Sequence, residues 1–259
     1  MLKDFLDGVT SYGRAWRIIS DNRLWYYVLV PGLISLILGA SIGYSAYLLH
    51  NDVANYITIN YPNQWFGYSI VERISSYLSW FALVVIGFLT YRNLLMALLA
   101  PFMSPLAARI QSLETGKPVF DPPFLSLTNL KLILRGLVLS FRNLMKELWY
   151  ILWLLLLGFI PLVGFIAPIL IFLTQSFYAG FSNLDYTLEK YYNVKNSKAF
   201  SQQHRWLAVG NGSVFLLLLT VPVLGLFLAP ALSTVAATLE TVKRVDTPLK
   251  NLKTGDDFI

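Results

Sequence analysis

The stretch GFIPLVGFIAP, Gly158–Pro168, lies at the middle of an apolar segment, Leu148–Phe181, of 34 residues without Asp, Glu, Lys or Arg. Pro161 and Pro168 each remove a backbone N–H, and Gly164 gives the chain freedom to bend between them. The pattern predicts an apolar helix, a sharp turn and a second apolar helix running back. Length decides the kind of hairpin. A helix needs about 20 residues to cross a bilayer, so two crossings and a turn need roughly 40 or more. Removing the turn here leaves two arms of roughly 14 residues, about 21 Å each. Such arms enter a bilayer without crossing it, so the segment reads as a re-entrant hairpin. The alternative is an ordinary helical hairpin with a short loop.

The device recurs. Thr220–Pro230 reads TVPVLGLFLAP inside a second uncharged segment, Trp206–Leu239, also 34 residues long. The predicted tips are therefore Pro161, Gly164 and Pro168 in one hairpin and Pro222, Gly225 and Pro230 in the other. Irregular backbone at membrane depth survives only when buried in protein or lining a wet cavity, so paired broken helices point to a transport path.

Composition agrees with a membrane protein. Of 259 residues 56% are hydrophobic and only 13% charged, where a soluble domain carries roughly a quarter charged. No separate soluble domain is expected: residues 1–243 read as one membrane domain and 244–259 as a polar tail. Without cysteine there is no thiol catalysis and no Cys-based metal site. Charges throughout Met1–Arg23 argue against a cleavable signal.

Met1–Ser20 reads as an amphipathic helix, with Phe5, Val9, Tyr12, Trp16 and Ile19 at spacings of three and four and Lys3, Arg14 and Arg17 supplying charge. It lies either in the headgroup plane or on the protein's own surface. Ser20-Asp21-Asn22 offers capping side chains before the first span, Leu24–Leu49, which carries aromatic residues near both ends. His50–Arg73 reads as a polar connection. Tyr77–Leu99 is the second span, continued through Pro101 and Pro105 to Leu113. Arg92 lies within it, as a functional charge at depth or as a snorkelling side chain.

Phe124–Lys146 reads as a second amphipathic helix. Lys131, Arg135, Arg142 and Lys146 fall within about 60° at 100° per residue, one basic stripe. It suits anionic headgroups or the mouth of an anion path. Asp185–Arg205 reads as a polar connection between the hairpins. Of the 20 Lys and Arg, only Arg73 lies in the first long loop and only Arg92 inside a span. The positive-inside rule then places both termini in the cytoplasm of a multi-pass membrane protein, with His50–Arg73 outside.

Several of these motifs occur together in a known family. Ala100-Pro101-Phe102 with Leu106-Ala107, the tip Phe159-Ile160-Pro161 through Gly164 to Ala167-Pro168, Asp185-Tyr186, and Pro222 through Pro230 to Ala237-Thr238 keep one order from about residue 10 to 243. In this the chain resembles the CysZ sulfate permease family of etoposide-induced-protein-like membrane proteins. The resemblance implies an all-α integral membrane protein with two long transmembrane helices, two half-penetrating re-entrant hairpins and amphipathic surface helices. It also implies homo-oligomers in a bacterial inner membrane, taking up an inorganic oxyanion, sulfate or sulfite, with no cofactor and no nucleic acid. In that family a Gly-apolar-Arg turn opening the first span is linked to sulfate. Here the stretch reads Ser20-Asp21-Asn22-Arg23-Leu24-Trp25-Tyr26. Arg23 falls on the Gly position, Trp25 and Tyr26 stand where basic residues are expected, and Asp21 adds an opposing charge. Asn22, Arg23, Leu24 and Arg92 are the expected substrate-binding residues, with reduced anion affinity.

A second expectation is a non-transporting membrane scaffold that uses the same half-inserted hairpins as wedges. An enzyme is the weakest reading and no metal site is expected. His50 and His204 lie far apart in polar connections, and no HExxH, GxSxG or carboxylate pair stands on a recognisable scaffold.

Overall fold

The computed structural model describes residues 1–60, 67–118, 127–158, 164–221 and 223–245, and every regular element among them is a helix. In order these are α1 (Leu2–Asp21), α2 (Tyr26–Asn60), α3 (Tyr68–Thr115), α4 (Leu127–Gly158), α5 (Ala167–Leu188), α6 (Val194–Gln203), α7 (Arg205–Leu219) and α8 (Leu224–Val245). Two of them, α2 and α8, are long and apolar enough to cross a membrane.

The two long helices run antiparallel. α2 has 35 residues and α3 has 48, so most of the expected polar connection His50–Arg73 is helix. α3 carries Pro101 and Pro105 in its interior and runs to Thr115, as the apolar pattern predicted. Tyr91 of α3 donates to the Ser35 carbonyl of α2 at 3.2 Å.

The two breaks differ in form. In the first, Pro168 occupies the opening turn of α5, where a missing N–H costs nothing and the fixed φ suits the helix. Gly164 lies just before it, and Pro161 falls outside the described residues. The first arm is not separate from the amphipathic stretch: both belong to the single 32-residue α4. In the second, the break falls at Thr220–Val223, and Val223 takes a φ of 60°. Pro222 lies outside the described residues. Pro230 is a buried residue inside α8 and does not end a helix, which corrects its reading as a tip. Gly225 lets α7 come close: a Cβ there would stand 1.9 Å from the Leu218 carbonyl.

The α7–α8 break meets the long pair midway. A cavity of about 260 Å³ brings Leu219 and Leu226 to Gly39, Ala46, Gly87 and Tyr91. Beyond Ala46, α2 continues to Asn60, roughly 21 Å farther.

Around this centre α5, α7, α8 and α1 pack through small and polar residues. Glycines let α5 and α7 approach backbone to backbone: a Cβ on Gly180 would sit 1.8 Å from the Ala208 carbonyl oxygen, and one on Gly212 1.8 Å from that of Ser176. A polar seam crosses the same core. Asn183 Nδ2 donates to Asn211 Oδ1 at 2.8 Å, Asn211 Nδ2 to the Ser233 carbonyl at 3.0 Å, and Tyr12 to the Asn211 carbonyl at 2.7 Å. Every partner in the seam is buried, so the bonds satisfy groups that would otherwise be costly.

α1 takes the second of its two predicted places. It packs on the protein itself, burying Gly8, Ser11, Tyr12, Ala15 and Ile19, while Trp16 stays exposed. Arg244 near the end of α8 fastens it, with Asp7 at 2.5 Å and Asp4 at 3.5 Å, and is itself held by Glu240 of the same helix at 2.6 Å. Arg14 reaches Glu114 of α3 at 3.1 Å. Lys243 and Arg244 are therefore helical and ion-paired; residues 246–259 of the expected tail lie outside the described residues.

Candidate functional site

The expected anion turn is the junction between α1 and α2. It does not cap α2 with Ser20 or Asp21, which belong to α1; it closes α1 instead. The Leu24 N–H donates to the Ile19 carbonyl at 2.9 Å and the Arg23 N–H to that of Ser20 at 3.3 Å, the two bonds of a Schellman motif. Asn22 adds its side-chain amide to the Ile18 carbonyl at 2.9 Å. Leu24 and Ile19 then join one apolar core, the contact that accompanies this motif. Trp16 braces the corner edge-on against Trp25, with ring centroids 5.6 Å apart.

The motif needs one residue in the left-handed region, and Arg23 takes it, with φ 54°. Glycine is the usual occupant because it has no Cβ to clash. A non-glycine residue pays about 1–2 kcal/mol in that region. Two amides expected to face an anion, those of Arg23 and Leu24, are thus bound to α1. Among the described residues the amides of Trp25, just before α2, and of Tyr26, its first residue, have no acceptor, and a helix N-terminus directs such groups at anions.

Beside this turn is a cavity of about 470 Å³, bordered by Leu24 of the turn, by Tyr27 of α2, by Pro105, Ala108, Arg109 and Ser112 of α3, and by Pro118. Arg109 and Ser112 stand one turn apart on α3 and bring a guanidinium and a hydroxyl to the α2 end. The sequence reading missed both. Nothing local pairs position 109 with position 24. Arg23 is exposed and does not border this cavity.

The other expected site residues do not gather here. Arg92 lies on α3 far from Arg109, roughly 25 Å along the helix, next to Tyr91 at the level of the α7–α8 break; its side chain is outside the described residues. The basic stripe divides. Arg135 turns inward, 3.1 Å from the Asp185 carboxylate, and donates to Ser197 Oγ at 2.9 Å and the Tyr192 carbonyl at 2.7 Å. Asp185 is itself a buried residue of α5 rather than part of a polar connection. Arg142 and Lys146 border a separate cavity, and the Lys131 side chain is outside the described residues.

One acid near Arg135 is perturbed. Glu189 caps α5, and its pKa is pushed up to about 7 by burial, with Asp185 adding to the rise and Lys190, Ser104 and Arg135 opposing it. Lys190 itself donates to the Ser104 carbonyl at 2.7 Å. The histidines remain apart. His204 packs on Phe200 with centroids 4.7 Å apart, and His50 meets the Tyr47 carbonyl through Nδ1. Among the described residues no cluster of His, Asp and Glu is suited to a metal.

The fold is helical, with two helices long and apolar enough to cross a membrane. The family described as "Sulfate transporter CysZ/Etoposide-induced protein 2.4" matches residues 11–230, and the chain belongs to it. Among its relatives, the protein named Sulfate transporter CysZ of Pseudomonas aeruginosa (strain LESB58) is 27% identical over 228 residues, covering 87% of this chain and 91% of that one. Sulfate transporter CysZ of Pseudomonas paraeruginosa (strain DSM 24068 / PA7) is 26% identical over 230 residues, covering 87% and 91%. That of Pectobacterium atrosepticum is 25% identical over 227 residues, covering 86% and 80%.

Proposed function

We propose that this chain is a bacterial inner-membrane permease for sulfate or sulfite that receives the anion in the cavity between the opening turn of α2 and Arg109. The observation that carries this reading is the cavity that brings Arg109 and Ser112 of α3 to Leu24 and Tyr27, the residues flanking the unbonded Trp25 and Tyr26 amides. The Ser112 hydroxyl donates to the Ala108 carbonyl at 3.0 Å and turns its oxygen, not its proton, to any ligand. Backbone donors at a helix N-terminus and a guanidinium are groups that replace the hydration of a tetrahedral dianion. Exposed Arg23 raises the local positive potential and steers anions to the mouth.

α2 and α3 span the bilayer in this reading. The α4–α5 and α7–α8 pairs are re-entrant, supported by the α7–α8 break meeting α2 near its middle. Both termini face the cytoplasm, as the distribution of Lys and Arg indicates. Beyond the first cavity the anion passes the α7–α8 break, with Arg92 as a further positive site. The working unit is a homo-oligomer.

Flux of radiolabelled sulfate into proteoliposomes tests the proposal, beside equilibrium binding to the purified protein at low ionic strength. Arg109→Gln is expected to weaken sulfate binding at least tenfold without lowering Tm. Saturable binding and flux unchanged in Arg109→Gln would remove this cavity from the path. No binding of sulfate or sulfite by the parent protein would leave the non-transporting scaffold as the reading.

A further inference from the structure

A second basic cavity lies on different elements. It has a volume of about 420 Å³ and is bordered by Arg142, Asn143 and Lys146 of α4 and by Lys198 of α6, with Phe177 and Phe181 of α5 on its apolar side. Asn143 is 1% exposed. Its Nδ2 and the Nε and Nη2 atoms of Arg142 are buried and find no acceptor among the described residues. Buried donors without acceptors are costly, and each asks for a partner. Lys146 and Lys198 are close enough for a side-chain hydrogen bond. The Lys146 pKa is lowered first by burial, then by this lysine and by the charge of Arg142. Glu147 brings one carboxylate to the region, acting with Arg142 on the Tyr178 hydroxyl. Three cations against one acid leave the cavity electropositive.

The cavity opens into a neighbour of different character. A groove of about 610 Å³ shares Tyr150, Phe177, Tyr178 and Gln202 with it and continues along Leu170, Leu173, Trp206 and Val209, with Thr174 and the exposed Arg205 also on its border. From Phe181 to Leu170 the two together follow about three turns of α5, roughly 16 Å. A polar cationic end joined to an apolar trough of that length has the shape and chemistry of an anionic amphiphile.

We propose that Arg142, Asn143, Lys146 and Lys198 form a site for a phosphate-type oxyanion, presented by an anionic phospholipid whose acyl chain lies in the groove between α5 and α7. The guanidinium and amide donate to phosphate oxygens from the buried side, and the two lysines close over it from α4 and α6. Juxtamembrane cations attract anionic headgroups in general; the buried donors of Arg142 and Asn143 add a fixed geometry that a diffuse basic surface lacks. This site shares no residue with the Arg109 cavity and does not depend on the transport reading.

The test uses the full chain in a neutral detergent with three probes: short-chain phosphatidylglycerol, short-chain phosphatidylcholine and inorganic phosphate. Binding is read by native mass spectrometry and by the shift in Tm. Saturable binding of phosphatidylglycerol is expected, at least tenfold tighter than phosphatidylcholine. The variant Lys146→Gln/Lys198→Gln is expected to lose that preference, and Lys195→Gln, at an exposed position on the same helix, to keep it. A measurement on the parent protein needs no variant: phosphatidylglycerol should protect Lys146 and Lys198, but not Lys195, from acetylation. Inorganic phosphate binding as tightly as phosphatidylglycerol, and lost in the same double variant, would support the oxyanion site and overturn the lipid as its source. Equal affinity for the two lipids, or a double variant that binds like the parent, would overturn the site.

Discussion

The Arg135 guanidinium lies 3.1 Å from the Asp185 carboxylate, with side chains only 16% and 6% exposed, and so ties the first half of α4 to the end of α5. A partly buried pair of this kind is worth little against an apolar replacement but costs heavily when one half is removed. Asp185→Ala should therefore lower unfolding free energy by about 3 kcal/mol, read from thermal unfolding in detergent. The double variant Arg135→Met/Asp185→Leu should recover most of that loss. A double variant as unstable as the single one would show that hydrogen bonds to Ser197 and Tyr192, rather than charge pairing, hold the junction.

Glu189 makes stability depend on pH. Its folded-state pKa is about 7, above the unfolded carboxylate value, so the folded protein holds a proton that the unfolded chain has released. The favourable contribution is complete below the unfolded pKa and is lost as pH rises toward and through 7. Glu189→Gln, which mimics the protonated form, should raise Tm relative to the parent at pH 8 and make little difference at pH 4.5. An equal Tm difference at both pH values would refute the assignment.

The approach of α5 to α7 leaves no space for a methyl group. Gly180→Ala and Gly212→Ala each place a Cβ 1.8 Å from a backbone oxygen, and each should destabilise the protein by about 3 kcal/mol. Gly13→Ala is the opposing control. Nothing lies within 4 Å of a Cβ there, so the substitution should stabilise α1 by roughly 0.5–1 kcal/mol. Thermal unfolding of the three variants separates steric closure from general helix preference.

Arg23 holds a left-handed turn and carries a charge, and one substitution separates the two roles. Arg23→Gly keeps the Schellman bonds and relieves about 1 kcal/mol of backbone strain, so Tm should rise. Sulfate association at low ionic strength should slow because the steering charge is gone. A higher Tm with unchanged association would confine Arg23 to the turn.

Much of the helical order is written locally. Apolar runs, Pro168 at a helix start and the second uncharged segment mark where helices lie and where they break. Pro230 misleads because it holds the same place in its apolar segment as Pro168, which does open a helix. Inside α8 it is buried against neighbouring helices, and tertiary packing holds the helix through it. The basic stripe divides for a related reason: Arg135 turns inward to Asp185, while Arg142 and Lys146 border a cavity. Periodicity of 100° per residue groups side chains on a face but cannot say what that face meets.

By itself the sequence determined a helical membrane protein, two broken hairpins, a continuous helix through Pro101 and Pro105, and the family. Those follow from composition and from Pro and Gly acting on their own neighbourhoods. Only the tertiary structure decided that α1 packs on the protein, that Arg135 is internal, and that Arg109 stands beside Leu24 while Lys198 stands beside Lys146. The partners in those pairs are far apart in the chain. They meet only because α2 folds back on α3, and α4 and α6 on α5, and no local pattern encodes which turn faces which.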